Sequence, residues 1–260
     1  MRKIQKSLLF WMLTVITGVL ILGAPVCALA SEEGDYSQEG QISRPSGQAS
    51  GAEETGSGAD DATDNTYGYY TIMGDTTVTA EDMVSHFNRQ NMEYPSQELE
   101  KGGAPDIETF CELLIKEAQI EGVRGEIVFE QAMLETGWLQ FQGDCSAGQY
   151  NFAGLGATGN GEPGITFPDV STGLRAQVQH LKAYASSQEL EQECVDERFD
   201  LVMRESAPYV EWLGIRENPY GGGWAAGENY GYKLRSLLAE LKGTEYVWPT
   251  PAPEVSPAGS

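Results

Sequence analysis

Glu135 is a carboxylate standing where the pattern calls for an apolar side chain. Along the helix expected from Gly125 to Phe141, at about 100° per residue, Glu126, Glu130 and Gly137 gather on one narrow polar side. Glu135 falls across from them, with Val128, Ala132 and Leu139. A lone carboxylate on a face meant for burial must be paired, protonated or lining a cleft. Desolvation there raises a carboxyl pKa, which is what a general acid working near neutral pH requires. The pattern alone weighs that role evenly against a structural glutamate bonded to a neighbouring helix. Tyr230 shares a helical stripe with Leu234, Leu237 and Leu241, where a core aromatic with a satisfied hydroxyl is the leading reading. Trp138, Trp212 and Trp224 are large enough to stack on sugar rings. Trp138 serves packing equally well, whereas Trp224 closes a glycine-rich loop and suits a cleft edge. His180, among Gln177, Gln179 and Lys182, reads as a surface or boundary residue without a role.

These residues need a frame, and the sequence reads as mostly helical. Thr79 to Asn88 opens with a capping signal for a short helix, after a β-branched and aromatic stretch, Tyr67 to Thr79, that suggests a strand or a docked arm. Ile107 to Glu121 is amphipathic and stops at Gly122. The next helix, Gly125 to Phe141, is apolar almost all round and therefore central. Gly159-Asn160-Gly161 and Pro163-Gly164 break the following stretch, predicting a small β-hairpin. Ser171 or Thr172 then caps a helix through Ala185. Another helix is expected over about 196–205, and a last one from about Glu228 to Lys242, ended by Gly243. Helices around one hairpin make an α+β, mainly helical fold.

The ends differ in kind from this middle. Arg2, Lys3 and Lys6 precede an apolar run from Leu8 to Val26, and Ala28-Leu29-Ala30 offers small residues for cleavage before Ser31. Residues 1–30 are thus expected to be a signal peptide, with an uncleaved membrane anchor as the rival. Residues 31–66 are acidic, Gly/Ser-rich and without apolar periodicity, the composition of a disordered linker. Residues 67–104 read as an extension packing on the domain, 105–243 as the catalytic domain, and 244–260 as a Pro-rich tail. The chain as a whole is strongly acidic, with 16 Lys and Arg against 39 Asp and Glu. That balance argues against nucleic acid and against electrostatic adhesion to anionic lipids or wall polymers. Past the signal segment, Cys111, Cys145 and Cys194 cannot form a complete disulfide framework. Cys111 lies on an apolar helical stripe and belongs to the core; a Cys145–Cys194 bond has no local support. No metal-ligand spacing appears, and neither metal nor cofactor is expected.

Four segments, in order, resemble glycoside hydrolase family 73, the bacterial N-acetylglucosaminidases of the lysozyme-like superfamily. QAMLETGWLQF (Gln131 to Phe141) is similar to the family's catalytic helix, and YNFAGLGATG (Tyr150 to Gly159) to the turn after it. FPDVSTGLRAQVQHLKAYA (Phe167 to Ala185) resembles the step into the next helix, and GWAAGENYGYKL (Gly223 to Leu234) the closing tyrosine motif. The resemblance implies a lysozyme-like domain that hydrolyses the β-1,4 bond on the reducing side of N-acetylglucosamine in peptidoglycan. It makes Glu135 the general acid and places Tyr230 beside the reacting sugar, which lifts Tyr230 above its core reading. It also implies a cleft floor shaped by Asn151 and Phe152; Tyr150, Gly154, Trp138 and Trp224 are the further substrate-binding candidates. The second carboxylate departs from the family pattern, because the short hairpin offers only Glu162. Asp169 lies just beyond and reads slightly better as a helix cap. If neither activates water, the substrate's own acetamido group can participate. Cleaved or anchored, residues 1–30 put the rest of the chain outside the cytoplasm, where a monomer acting on glycan strands is expected. A muramidase, a lytic transglycosylase and a catalytically inactive wall-binding module are the competing readings.

Overall fold

The computed structural model describes residues 61–63, 65–159 and 161–249. The expected signal segment, most of the linker, and the tail from residue 250 lie outside the described residues. Among the described residues six α-helices carry the architecture: α1 (Ala80–Arg89), α2 (Ser96–Leu99), α3 (Ile107–Glu121), α4 (Gly125–Thr136), α5 (Val170–Ala185) and α6 (Tyr230–Lys242). Helix α4 runs through the middle, packed against α3, α5 and α6, while α3 and α5 make the broadest helix–helix contact.

Local chemistry explains where the helices start and stop. Thr79 and Asp82 form a reciprocal capping box that opens α1. Asp106 caps α3 by accepting from the Thr109 amide, and Gly122, at φ 68°, ends it in the left-handed conformation that glycine tolerates best. At α5 the cap is Asp169, which accepts from the Thr172 amide at 2.7 Å, in place of the Ser171 or Thr172 hydroxyl and in keeping with the reading of Asp169 as a cap. Two ion pairs, one buried and one partly buried, then pin α5 to α3. Lys182 Nζ meets Glu121 at 2.9 Å, and Arg175 Nε meets Glu117 at 2.9 Å. The spare acceptor capacity of Glu121 takes the amides of Glu191 and Gln192, which lays the loop after α5 across the same seam.

Several expectations are corrected. The central helix ends at Thr136, not Phe141, because Gly137, Trp138 and Leu139 all adopt positive φ. Its narrow polar side is buried as well: Glu126 and Glu130 are both 0 % exposed. Glu126 is satisfied by the Tyr70 and Thr77 hydroxyls. The hairpin reduces to a single bridge between Gly159 and Glu162, and backbone pairing among the described residues consists of isolated bridges. Over 196–205 there is one 3₁₀ turn, Phe199–Leu201, since Asp196 turns inward to His180 and Val202 leaves in an extended conformation. The last linker residues, Asp61–Thr63, form a 3₁₀ turn with Ala62 fully buried, its carbonyl accepting from the Thr71 amide. The start of the tail folds back likewise, with Trp248 Nε1 donating to Ser236 at 2.6 Å. The stretch from Tyr67 is a docked arm, bridged at Thr71 to Tyr209 and at Met73 to Val123. Cys111 is buried in the core as expected, and Cys111 and Cys194 are free thiols.

One buried pair makes stability depend on pH. Arg89 can only donate, so its contact with His86 Nδ1 at 2.8 Å fixes the neutral ring with its proton on Nε2, 3.3 Å from Glu130 Oε1. That approach lies off the hydrogen-bond direction, and both Glu130 oxygens lack a hydrogen-bond partner. Burial pushes the Glu130 carboxyl well above the usual range, while burial and then Arg89 pull His86 from 6.5 to about 4. The His86 contribution is therefore full above its unfolded value and lost as pH falls from 6.5 towards 4. The Glu130 contribution has the opposite sign: it is full below 4.5 and lost as pH rises through the elevated folded value. Glu130→Gln removes only the second. Its Tm is expected to match wild type near pH 4 and to exceed it by several degrees at pH 8. A Tm difference constant across that range in a calorimetric series contradicts the assignment.

Candidate active site

The site is built where the C-terminal end of α4 meets the first residue of α6. Glu135 occupies the last turn of α4 and is 3 % exposed. Tyr230, 2 % exposed, begins α6 and donates its hydroxyl to Glu135 Oε1 at 2.5 Å. The sequence brings Tyr230 there by two devices. Asn229 takes a left-handed conformation at φ 60°, which turns the chain sharply into α6. Gly231 then lets α6 press on the Val210–Leu213 turn, where any Cβ would lie 2.5 Å from the carbonyls of Val210 and Glu211. Burial, then the facing Glu135 carboxyl, drives the Tyr230 pKa well above its ordinary value, so the phenol stays protonated and serves as a donor.

Two glutamines complete the cluster. Gln131, one turn before Glu135 on α4, donates Nε2 to Tyr230 Oη at 3.2 Å. Gln177 of α5 donates to Gln131 Oε1 and to the Val128 carbonyl, both at 3.0 Å. Both glutamines are fully buried. Sequence reasoning missed them, although the i, i+4 spacing of Gln131 and Glu135 puts both on one face and was readable.

After Glu135 the chain turns through three consecutive left-handed residues, Gly137, Trp138 and Leu139. Only the glycine does so without strain, and such runs of positive φ in non-glycine residues cluster at functional sites. The Thr136 hydroxyl braces the turn, donating to the Ala132 carbonyl at 2.6 Å and accepting from the Leu139 amide at 2.8 Å. Trp138 is thereby set half-buried against His86 and Phe87.

The other residues singled out in the sequence have mixed placements. Asn151 is buried and braces its own loop, donating to the carbonyls of Leu155 and Ile165 and accepting from the Leu155 amide. Phe152 is a core ring against Phe110 and Phe141. Tyr150 has φ 53° and lies against Gly102 and Gly173, while Gly154 turns the loop at φ 64°. Trp224 is not at an open cleft edge: it is 7 % exposed and packed edge-on to His180, centroids 4.8 Å apart. His180 itself is buried and paired with Asp196 at 2.7 Å, not at the surface. Glu162 is exposed beside its bridge to Gly159. Asp169 is engaged as the α5 cap. A separate pocket of about 400 Å³ lies between 165–168, Thr172 and 194–197, and neither Glu135 nor Tyr230 lines it. No group of three or more potential metal ligands occurs among the described residues.

A carboxyl and a phenol buried face to face can hold one proton in a defined place and deliver it to an oxygen brought into contact. Comparison with known proteins bears on which oxygen. The family described as mannosyl-glycoprotein endo-beta-N-acetylglucosaminidase matches residues 111–243, which contain Glu135, Tyr230 and both glutamines. A protein of Borreliella burgdorferi, named only as uncharacterized, is 42% identical over 135 residues, covering 52% of this chain and 63% of that protein. The chain thus spans less than two thirds of that relative's length. No solved structure matches.

Proposed function

The chain belongs to the glucosaminidase family, and from that premise we propose that it is an exported endo-β-N-acetylglucosaminidase acting as a monomer on peptidoglycan glycan strands. The observation that carries this reading is the 2.5 Å contact between Tyr230 and the buried Glu135, inside the matched segment. Glu135 is the general acid. It gives its proton to the departing glycosidic oxygen as the bond to C1 of N-acetylglucosamine breaks and its electron pair moves to that oxygen. Water then supplies the hydroxyl at C1, and its remaining proton restores the acid over the cycle. Tyr230, neutral and fixed as a donor, keeps Glu135 oriented through both states. The acidic composition of the chain suits a neutral amino-sugar backbone better than a polyanion.

The second catalytic group is narrowed by position. The Asp169 carboxylate is occupied at the N-terminus of α5, whereas Glu162 is exposed on a turn where a substrate could meet it. On this reading either Glu162 activates the water or the substrate's own acetamido oxygen attacks C1 first and water opens the resulting intermediate, while Asp169 stays the cap of α5. Asp169→Ala is expected to lose about 1 kcal/mol of stability, the worth of a cap, while keeping its turnover within about threefold. A kcat loss of a hundredfold or more with Tm unchanged returns Asp169 to the chemistry.

The reading is tested by incubating purified peptidoglycan with the protein and assaying reducing sugars and free amino groups in parallel. A glycan hydrolase releases the first and leaves the second at baseline. Amino groups without reducing ends make the protein a peptidase; neither product, from a folded protein, leaves a lytic transglycosylase, whose 1,6-anhydro ends are non-reducing, or a binding role.

A further inference from the structure

Between α4, α5 and α6 runs a line of hydrogen bonds whose directions are fixed from its far end. Gln177 Nε2 lies 3.0 Å from the Val128 carbonyl, which can only accept, so this end of the amide is its NH₂. The same group donates to Gln131 Oε1, which turns the Gln131 amide so that its Nε2 faces Tyr230. Gln131 Nε2 then donates to the phenol oxygen at 3.2 Å and fills the acceptor position on one side of it. The hydroxyl proton is left one direction, towards Glu135 Oε1 at 2.5 Å. Gln177, Gln131, Tyr230 and Glu135 are all buried, so bulk water offers no alternative partner along the line.

We propose that Gln177 and Gln131 are positioning residues that lock Tyr230 as a donor to Oε1 of Glu135, and so assign the carboxyl's own proton to Oε2. This rests on the reading of Glu135 as the acid. A carboxyl protonated on Oε1 would give its hydrogen bond to Tyr230 and have nothing to deliver. The relay removes that unproductive tautomer by ensuring that Tyr230 cannot accept from Glu135. The other titratable group acting on Tyr230 is Tyr184 of α5. The remaining carboxylates of α4 are turned elsewhere, Glu126 to Tyr70 and Thr77, and Glu130 to His86.

The relay predicts an effect opposite in cause to a packing defect. Gln131→Met keeps the volume but cannot donate; Gln177→Leu frees the Gln131 amide to flip. In either variant the phenol can accept from a protonated Glu135, so the protonated state gains an arrangement and the carboxyl titrates at higher pH. Carbon-13 NMR of protein labelled at the glutamate carboxyls reads this directly, the Glu135 signal being the one lost in Glu135→Gln. Both variants are expected to titrate above wild type, and Gln131→Met to add no shift in a Tyr230→Phe background. On peptidoglycan each lowers kcat about tenfold with KM within about twofold. Titration unchanged in both folded variants overturns the relay, as does a shift that persists undiminished without the tyrosine hydroxyl. An inactive wild type would instead count against the enzyme, with the titration still judging the relay.

Discussion

Glu135→Gln is expected to lower kcat on peptidoglycan by about a thousandfold, in the middle of the range for removing a general acid, which corresponds to about 4 kcal/mol of transition-state stabilisation. The amide has the shape of the carboxyl and can still accept from Tyr230, so the cluster keeps its geometry and loses only the transferable proton. KM is expected to hold within a few fold and Tm to stay level or rise, because an ionisable group leaves a buried site. A variant that keeps a tenth or more of wild-type turnover places the acid elsewhere. A variant that loses activity together with its folded state leaves the chemistry unaddressed, and thermal denaturation monitored beside turnover separates the two.

The largest expected effect on stability comes from a residue with no polar atoms in its side chain. Gly173, in the first turn of α5, has no room for a methyl group: a Cβ there would lie 1.7 Å from the Tyr150 carbonyl oxygen. That obstacle is backbone, held where Gln149 and Tyr150 close the turn that follows α4, and the amide of Phe167 bonds to the Gln149 carbonyl alongside. Gly173→Ala must therefore separate α5 from this turn, at roughly 3 kcal/mol or more. For a domain of this size that corresponds to a Tm lower by about 10 °C. Because α5 also carries Gln177, turnover should fall even below the melting range. An alanine variant melting within 2 °C of wild type would mean that α5 does not sit on the turn as described.

How much of this was legible in the sequence depended on the kind of signal. Helix ends governed by local chemistry were readable: Thr79 with Asp82 at α1, Gly122 after α3 and Gly243 after α6 all act within a few residues of themselves. The end of α4 was not, because Trp138 and Leu139 look like good helix residues. Their left-handed conformation is imposed by the Thr136 brace and by packing on His86 and Phe87. Periodicity gathered Glu126 and Glu130 on one polar side of α4 without showing what meets them there. It cannot anticipate that an arm from residues 67–77 and helix α1 cover that side and bring Tyr70, Thr77 and His86 to meet them. The expected hairpin is present only as the Gly159–Glu162 bridge for a related reason: its glycines support turning, but Asn151 binds the Leu155 and Ile165 carbonyls and holds the rest of the segment as a loop.

The site shows the same division. Glu135 was singled out by its place on an apolar face, and Tyr230 rose only through a motif resemblance. The two lie 95 residues apart, and nothing local announces that they touch. Gln177 was invisible because its meaning comes from a partner on another helix. His180 was misjudged likewise, since its burial depends on Asp196 and Trp224 arriving from separate loops.

The most direct test of the account is the identity of the new chain ends. Peptidoglycan digested by wild type and by Glu135→Gln is reduced with borohydride and its fragments are resolved by mass spectrometry. The account predicts fragments ending in reduced N-acetylglucosamine from wild type, and their near-absence from the variant. Reduced muramic acid or 1,6-anhydro ends, or N-acetylglucosamine ends undiminished in the variant, would contradict it.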